Sequence, residues 1–324
     1  MMTTARVRAA AERVAGGLAT VALLAGSLPA AAAEPVDREG IFKAFGWDPE
    51  AVEVSAQTLS PGFHVLFGMG GNIAVSVGPQ GTLLVDDQFP ELRDDIDAAL
   101  AGLGSAGVDF VINTHWHFDH ADGNMSFGPD GVWIVSQANA REGMAKGGIV
   151  DLVSVAYDQQ PFPAEALPVI TYDDRMSFHF NGEQIDLLHP GPAHTTGDTA
   201  VIFRGRNAVH LGDVFNNSGW PFIDTGSGGD LDGMIAFCTA VLDATDADTT
   251  VIPGHGPVTD RAELARYIEL LTIARGRIAA LIEDGASLEE VVAAAPTADL
   301  DAEMGDPGLF VNRAYMSLTR LPAD

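Results

Sequence analysis

The sequence predicts an α/β protein in which two similar halves, each built from strands and then helices, pack sheet against sheet with their helices outside. Two observations support this prediction. Groups of apolar runs with strand character and with helical spacing alternate twice along the chain, with no obvious linker between the two groups. The 324 residues are also 47% hydrophobic and include 36 glycines, which is enough apolar material for a sizeable core with many turns.

The N-terminal segment 1–33 differs in composition from the rest. Arg6, Arg8 and Arg13 give it a positive start, an apolar stretch rich in Ala, Leu and Val covers 14–28, and three alanines at 31–33 offer a small-residue cleavage site. This pattern is typical of a secretory signal peptide. The alternative is an uncleaved membrane anchor, but the apolar stretch is shorter than the roughly 20 residues that a spanning helix needs. We therefore expect a periplasmic or secreted protein with one domain over 34–324 and no stable membrane anchor after cleavage.

The elements of the first half follow from short apolar runs bounded by Gly, Asp and Asn. The predicted strands cover 63–67, 72–77, 82–85, 108–113 and 132–136, and the predicted helices cover 92–103 and 137–146. A glycine-rich loop joins the first two strands, and we expect it to act as a flexible flap over 68–72. The segment 34–60 is mixed in character and is expected to pack at the periphery, and the segment 149–168, with three prolines, is predicted to be irregular.

The second half repeats the scheme. The predicted strands cover 176–180, 184–188, 199–203, 208–211 and 250–252, and the predicted helices cover 232–242, 261–282, 287–294 and 310–318. Asn181-Gly182 supplies the turn of the first hairpin. Cys238 lies within an apolar helical pattern, so we interpret it as a core residue.

The turn that leaves the strand ending at Asn113 holds three histidines and one aspartate within a short run, His115 to His120. In an extended turn His115 and His117 project to one side, whereas Asp119 and His120 aim at a second point nearby. Imidazole and carboxylate are ligands that suit zinc. Crowded imidazoles repel each other once protonated, so a cluster held only by hydrogen bonds is disfavoured. The turn therefore predicts a metal site.

Three later segments have a common context, in which a strand ends close to Gly or Pro and a ligand-type residue follows. These residues are His194, Asp213 and His255. The neighbouring small residues allow the backbone to approach a metal closely.

With these residues, the chain resembles the hydrolases of the metallo-β-lactamase superfamily, since it has the H-x-H-x-D-H signature and then His, Asp and His in order. The resemblance implies an αββα sandwich with two zinc ions at one edge. It implies that the first zinc is held by His115, His117 and His194. It implies that the second zinc is held by Asp119, His120 and His255. Asp213 would bridge both ions, as in the glyoxalase II-like branch of the superfamily.

The implied chemistry is hydrolysis by a binuclear zinc enzyme. Two zinc ions would share a hydroxide and lower the pKa of bound water toward about 7, which suits attack on the carbonyl of a lactam, lactone, ester or thioester. Asp119 would orient the attacking group. The clinical zinc β-lactamases carry Cys in place of Asp213, and many carry lysine in place of Asn216. We therefore expect only weak β-lactamase activity.

Further residues are predicted to support this site. Three carboxylates close to the ligands could accept a hydrogen bond from a ligand imidazole, namely Asp86, Asp87 and Asp198. Turns on the metal edge are expected to form the substrate pocket, with Met69, Asn72, Asn216, Trp220 and Phe222 as its candidates. The remaining histidines are expected to be structural, namely His64, His179, His189 and His210.

The formal net charge of -28 argues against a nucleic-acid partner, because such a surface repels phosphate. A small-molecule substrate is expected instead. Two other functions stay open on the sequence. One is a mononuclear iron enzyme of the persulfide-dioxygenase kind, with His115, His194 and Asp213 as ligands. The other is a zinc-binding protein without catalytic activity.

Overall fold

The computed structural model describes residues 34–320, so the predicted signal peptide at 1–33 lies outside the described residues. Two sheets dominate this part of the chain. The first has seven strands, whose spatial order is β1 (Ser55–Ser60), β2 (Phe63–Phe67), β3 (Ile73–Gly78), β4 (Gly81–Val85), β5 (Phe110–Ile112), β6 (Trp133–Gln137) and β9 (Ile170–Tyr172). A separate hairpin is formed by β7 (Gly148–Asp151) and β8 (Ala156–Gln159).

The second sheet has six strands in sequential order. They are β10 (Arg175–Phe180), β11 (Glu183–Leu188), β12 (Ala200–Phe203), β13 (Ala208–His210), β14 (Thr250–Ile252) and β15 (Thr259–Asp260). Most neighbouring strands in the two sheets are antiparallel. The pairs β4–β5, β5–β6, β6–β9 and β13–β14 are parallel.

Ten α-helices are present in the part of the chain that the structure describes. They are α1 (Arg38–Phe45), α2 (Arg93–Gly102), α3 (Phe118–Ala121), α4 (Asn124–Phe127), α5 (Ala138–Lys146), α6 (Leu231–Ala244), α7 (Arg261–Glu283), α8 (Leu288–Ala294), α9 (Asp301–Met304) and α10 (Gly308–Thr319). Side-chain caps fix the start of several of them: Asp230 accepts from Gly233 N before α6, and Ser287 and Glu290 form a reciprocal capping box at α8. None of these helices is both long enough and apolar enough to cross a membrane.

The layers follow from where the apolar faces lie. A middle core joins the two sheets, with the Phe63 and Phe203 rings 4.7 Å apart. A second core covers the outer face of the first sheet under α1, α2 and α5, and a third covers the outer face of the second sheet under α6, α7 and α10. The molecule is therefore an αββα sandwich, as the sequence predicted.

Two predictions about local structure were wrong. The segment 149–168, predicted to be irregular, contains the β7–β8 hairpin, and the segment 34–60, in which the sequence predicted no element, contains α1 and β1. Neither segment has a regular apolar period, because its strands are short or mostly exposed. The turn after His117 is not extended but enters α3 at Phe118, so Asp119 and His120 lie on a helical turn.

Parallel pairing explains where the functional edge lies. The carboxyl ends of β4 and β5 meet at one edge of the first sheet, and those of β13 and β14 meet at one edge of the second. Loops that leave parallel strands at this end are the usual place for a site in α/β sheets. The residues predicted as metal ligands lie on such loops, apart from His194, which lies between β11 and β12.

Candidate metal centre

Seven side chains from four separate loops converge at this edge. Three overlapping groups have ligand atoms within 4.8 Å of one another, and they consist of His115, His117 and His194, of His115, His120 and Asp213, and of Asp119, His120 and His255. All seven predicted ligands therefore lie close together in space, although 140 positions separate His115 from His255 in the sequence.

The first group presents nitrogen lone pairs to one point. His117 Nδ1 lies 2.9 Å from His194 Nε2. The outer nitrogens of both rings face groups that can only accept a hydrogen bond. His117 Nε2 therefore donates to Asp224 Oδ2 at 2.9 Å, and His194 Nδ1 donates to the Phe222 carbonyl at 2.8 Å. In the neutral rings the two inner nitrogens therefore carry lone pairs that face each other. Such a pair is unfavourable alone and suits a cation.

His115 completes this group. Its Nδ1 lies 3.0 Å from Thr114 Oγ1, which donates its own hydrogen to Asp86 Oδ2 at 2.8 Å, so His115 Nδ1 is the donor. His115 Nε2 is buried and has no hydrogen-bond partner in the described chain. Burial and the neighbouring histidines hold the pKa of His115 well below its usual value, and burial together with His117 lowers the pKa of His194 to about 4. Neutral imidazoles of this kind are the form that binds metal.

The group formed by Asp119, His120 and His255, called the second group from here on, mixes imidazole and carboxylate. His120 Nε2 lies 3.2 Å from His255 Nε2, which lies 3.1 Å from Asp119 Oδ2. His120 Nδ1 contacts Asp86 Oδ2 at 2.7 Å. Burial opposes protonation of His255, but the charge of Asp213 and hydrogen bonds to both carboxylates outweigh it and raise the pKa of His255 to about 10. Without a metal, protons on these rings would balance the carboxylates.

Asp213 lies between the two groups. Its Oδ1 is 3.0 Å from His120 Nε2 and 3.4 Å from His255 Nε2, whereas its Oδ2 is 3.7 Å from His194 Nε2. Burial opposes ionisation, but the charges of His120 and His255 hold the pKa of Asp213 well below its usual value. An ionised carboxylate whose two oxygens face two ligand groups has the arrangement required to bridge two metal ions.

Glycines allow the loops to approach the ligands closely. A Cβ at Gly71 would lie 2.1 Å from His120 Cε1, and a Cβ at Gly254 would lie 2.1 Å from Asp213 Oδ1. Both positions therefore require glycine. The loop 68–72 is not the flexible flap that the sequence predicted, because Gln88 Nε2 donates to the Gly71 carbonyl and Asn72 Nδ2 donates to the Pro253 and Gly256 carbonyls.

The three predicted outer carboxylates have different roles. Asp86 accepts from His120 Nδ1, from Thr114 N and from Thr114 Oγ1. Asp198 contacts no ligand ring in the described chain but accepts from Thr195 N, Thr195 Oγ1 and Ala193 N, so it shapes the backbone around His194. Both carboxylate oxygens of Asp87 are buried without a described partner. The prediction of an imidazole hydrogen bond was therefore wrong for Asp198, whose oxygens are used by Thr195 and Ala193, and for Asp87, which hydrogen-bonds no imidazole in the described chain.

Of the predicted pocket residues, some border the site and others lie in backbone contacts or in the core. The Phe222 ring lies 6.0 Å from the His117 ring and 5.6 Å from the His194 ring, so it borders the site. Asn72 uses its amide in backbone contacts, and Asn216 Oδ1 accepts from Ser218 N and Ser218 Oγ in a local turn. Trp220 stacks on Phe310 within the outer core, so predicting it as a pocket residue was wrong.

Met69, the last pocket candidate, is buried in the core that covers the first sheet. The other histidines make structural contacts: His210 Nε2 lies 2.9 Å from the Asn72 carbonyl, and His189 Nδ1 lies 2.7 Å from the Asp198 carbonyl. His64 Nδ1 contacts Thr58 Oγ1 at 2.9 Å across two strands, and His179 pairs with Gln184 in the β10–β11 ladder. Cys238 is buried, as expected of a core residue.

Sequence reasoning missed Asp224 and Gln159. Asp224 lies 107 positions from His117, and its only local signal is the Thr-Gly-Ser that follows, which suggests a turn and not a ligand contact. Gln159 lies in the segment predicted to be irregular, yet its amide donates to the Trp116 carbonyl and accepts from Phe118 N. It therefore joins the β7–β8 hairpin to the ligand turn.

Two curated proteins are similar to part of this chain. The chain is 29% identical over 186 residues to the 2,4-dinitroanisole O-demethylase subunit alpha of Nocardioides sp. (strain JS1661), which covers 55% of this chain and 51% of that protein. It is 27% identical over 166 residues to the atrochrysone carboxyl ACP thioesterase of Emericella nidulans, which covers 51% of this chain and 44% of that protein. The chain thus matches about half the length of these relatives.

Several solved structures share the fold. The stereoselective inverting sec-alkylsulfatase Pisa1 from Pseudomonas sp. superposes with a TM-score of 0.62 at 14% identity, covering 81% of this chain and 50% of that chain. A metallo-beta-lactamase from Cronobacter sakazakii gives 0.58 at 22% identity, covering 74% and 98%, respectively. The family model described as the metallo-beta-lactamase superfamily matches residues 68–255, more than half of the chain. Together with the αββα fold, this match shows that the chain belongs to the metallo-beta-lactamase superfamily.

Proposed function

We propose that this protein is a binuclear zinc hydrolase that acts on a carbonyl substrate, namely a lactam, lactone, ester or thioester. One observation carries the proposal: Asp213 directs one oxygen to each of two ligand groups. A single ion at His115, His117 and His194 would leave the group formed by His120 and His255 without a role. The convergence of all seven side chains therefore favours two ions.

The donor set fits zinc, since it consists of imidazole nitrogens and carboxylate oxygens. When bound, the two ions would supply Lewis acidity and would lower the pKa of a bound water toward about 7. His115, His117 and His194 would hold the first ion. Asp119, His120 and His255 would hold the second, with Asp213 between the two.

Asp119 is suited to orient a water molecule. Burial opposes its ionisation, but the charge of His120 and a hydrogen bond to His255 hold its pKa below the usual value, so it is an anion that can accept a proton. Its side chain is 12% exposed, and those of Asp213 and His255 are 16% and 28% exposed, whereas the other ligands are almost completely buried. A substrate would therefore approach from the side of the second ion.

The substrate class is proposed from the site and from the relatives. A thioesterase among the relatives supports the inclusion of thioesters. Because the similar proteins also include an O-demethylase and an alkylsulfatase, the substrates to be assayed include an aryl ether and a sulfate ester. Only weak β-lactam turnover is expected, because the Asn216 turn has no lysine and the Lys146 ammonium pairs with Glu142.

The experiment is to purify the chain from Glu34 onward, count its metals by mass spectrometry and assay nitrocefin, lactones, thioesters, an aryl ether and a sulfate ester. We expect about two zinc ions per chain and metal-dependent turnover of at least one carbonyl substrate. One iron per chain would instead support the persulfide-dioxygenase alternative. Bound zinc without turnover of any substrate would support the non-catalytic alternative, and cleavage of RNA would contradict the choice of a small-molecule substrate.

We also propose export, followed by cleavage before Glu34, on the basis of the arginines, apolar stretch and alanines of the segment 1–33. Expression of the full chain in a bacterium with an outer membrane, followed by fractionation and N-terminal sequencing, tests this. A cytoplasmic product that keeps the segment 1–33 would contradict it.

A further inference from the structure

The outer partners of the first histidine group differ in chemical type. His115 donates to a hydroxyl and His194 donates to a backbone carbonyl, whereas His117 donates to the carboxylate of Asp224. His117 is also the one ligand imidazole of the group that turns Nδ1, and not Nε2, toward the common point. The contact with Asp224 thus distinguishes His117 from the other two rings.

Asp224 is itself held firmly. It is 2% exposed, and its Oδ1 accepts from Gly226 N at 3.1 Å and from Ser227 N at 3.2 Å. Its Oδ2 accepts from Ser227 Oγ at 2.6 Å as well as from His117 Nε2. Four donors therefore fix the orientation of this carboxylate. Ser227 also lines a cleft of about 420 Å³ beside Trp116, so it is the outer end of a chain of contacts that begins at His117.

We propose that Asp224, held in place by Ser227, is a positioning residue that fixes His117 in the tautomer with Nδ1 free and makes this nitrogen a stronger ligand for the first metal ion. A carboxylate behind a ligand imidazole orients the ring and increases its basicity. The inference rests on the proposed function, because it concerns one of the two ions that the function requires. It adds a role for two residues that contact no metal.

Asp224 also caps the turn 225–227, so a purely structural role must be separated from a positioning role. Asp224→Asn provides this separation. If the amide oxygen keeps the bonds to Gly226 N and Ser227 N, the amide NH₂ faces His117 Nε2. Two donors cannot face each other, so His117 would move its hydrogen to Nδ1, the atom that should bind metal. The cap is kept, but the ligand is lost.

The matched control is Asp230→Asn. Asp230 is also a capping aspartate in the same segment, since it accepts from Gly233 N at the start of α6. It makes no contact with any of the ligand histidines in the described chain. Ser227→Ala removes one of the donors to Asp224, and Ser227→Thr restores a hydroxyl.

The experiment titrates each metal-free protein with zinc chloride against a chromophoric chelator, and it records the visible spectrum with cobalt chloride. In the wild type we expect two tight equivalents. In Asp224→Asn we expect the affinity for one zinc equivalent to fall by about tenfold to a hundredfold, while the affinity for the other is unchanged. Ser227→Ala should show a smaller loss that Ser227→Thr reverses, and Asp230→Asn should match the wild type. The metal-free Tm of Asp224→Asn should equal that of the wild type.

A second readout does not depend on metal. Long-range ¹H–¹⁵N NMR of histidine-labelled, metal-free protein should show the hydrogen of His117 on Nε2 in the wild type and on Nδ1 in Asp224→Asn. If the wild type binds two zinc equivalents and Asp224→Asn binds both with unchanged affinity, the inference is overturned while the proposed function stands. An unchanged tautomer, or an equal weakening of both equivalents with a lower metal-free Tm, would also overturn it. A wild type that binds no metal would overturn the inference and the proposed function together.

Discussion

At the scale of single residues, the centre depends on direction as much as on ligand type. Thr114 and Asp86 orient His115 and His120 through buried hydrogen bonds, and Asp213 offers one oxygen to each group. Each ligand ring of the first group uses one nitrogen for an outer partner and keeps the other for the common point. The loss of one such residue should therefore have a larger effect on metal binding than on folding.

Asp213→Asn removes the charge that we propose both ions share. We expect the metal content to fall below two ions per chain and turnover of the best substrate to fall more than about a hundredfold. The loss of a residue that only hydrogen-bonds a metal ligand already lowers metal affinity or activity about tenfold to a hundredfold. Metal analysis and initial rates check this result. Asp248→Asn, at an exposed aspartate, is the control. Full metal content with unchanged rates would contradict the bridging role.

Gly71→Ala tests the close approach of the loop 68–72 to the ligands. The added Cβ would overlap the His120 ring, so we expect a loss of more than about 1 kcal/mol in the free energy of unfolding and weaker metal binding. Gly102→Ala is the matched control, because Gly102 lies in α2 and an added Cβ there meets nothing within 4 Å. Because Gly102 is the last residue of α2, alanine there should stabilise the protein by no more than about 0.5–1 kcal/mol. Urea denaturation measures both changes, and equal effects would contradict the steric argument.

At the scale of elements, the β7–β8 hairpin is the clearest addition to what the sequence predicted. Its strands have four residues each and form a two-stranded sheet of their own, to which Val36 adds a parallel bridge at Tyr157. Gln159 joins the hairpin to the ligand turn through the Trp116 carbonyl and Phe118 N, at 2.7 and 3.1 Å. The hairpin therefore supports the turn that carries His115 and His117.

Gln159→Ala should release this support. It leaves two buried backbone groups without a partner, so we expect a loss of about 1–3 kcal/mol in the free energy of unfolding and weaker zinc binding. Gln160→Ala is the control, because Gln160 is exposed and its amide bonds only to the nearby Asp158 carbonyl. Denaturation and zinc competition applied to both variants test the difference. A stability loss in Gln159→Ala without any change in zinc affinity would show that the hairpin does not position the ligands.

At the scale of the whole molecule, the centre links the two halves of the sandwich. His115 and His120 come from the first sheet, and His194, Asp213 and His255 come from loops of the second. Ions bound across this edge would stabilise only the folded arrangement of both halves. Removal of metal should therefore lower the stability of the entire domain and make it sensitive to pH.

The stability of the metal-free protein should depend on pH through the lowered pKa of His194. Its pKa is about 4 in the folded protein against an ordinary value of 6.5, so the unfolded chain takes up this proton first as the pH falls. Stability is then lost between about pH 6.5 and pH 4, by up to about 3 kcal/mol. His194→Gln removes this contribution. Urea denaturation in chelator at several pH values should show that the stability difference between wild type and variant shifts in favour of the variant as the pH falls. A constant difference would contradict the shifted pKa.

The sequence by itself determined the fold class and the identity of the seven candidate ligands, because both are recorded in local patterns. Apolar periods predict strands and helices, and the H-x-H-x-D-H turn with the later His, Asp and His indicates metal chemistry without any knowledge of distances. Only the tertiary structure decided which nitrogen of each ring faces the centre, that Asp213 points to both groups, and that Asp224 and Gln159 support the ligands. The contacts of Asp224 and Gln159 join residues that are 41 to 107 positions apart, and the other features depend on loop directions set by packing. No local period or propensity encodes such contacts, since their energy appears only when distant segments of the chain pack against each other.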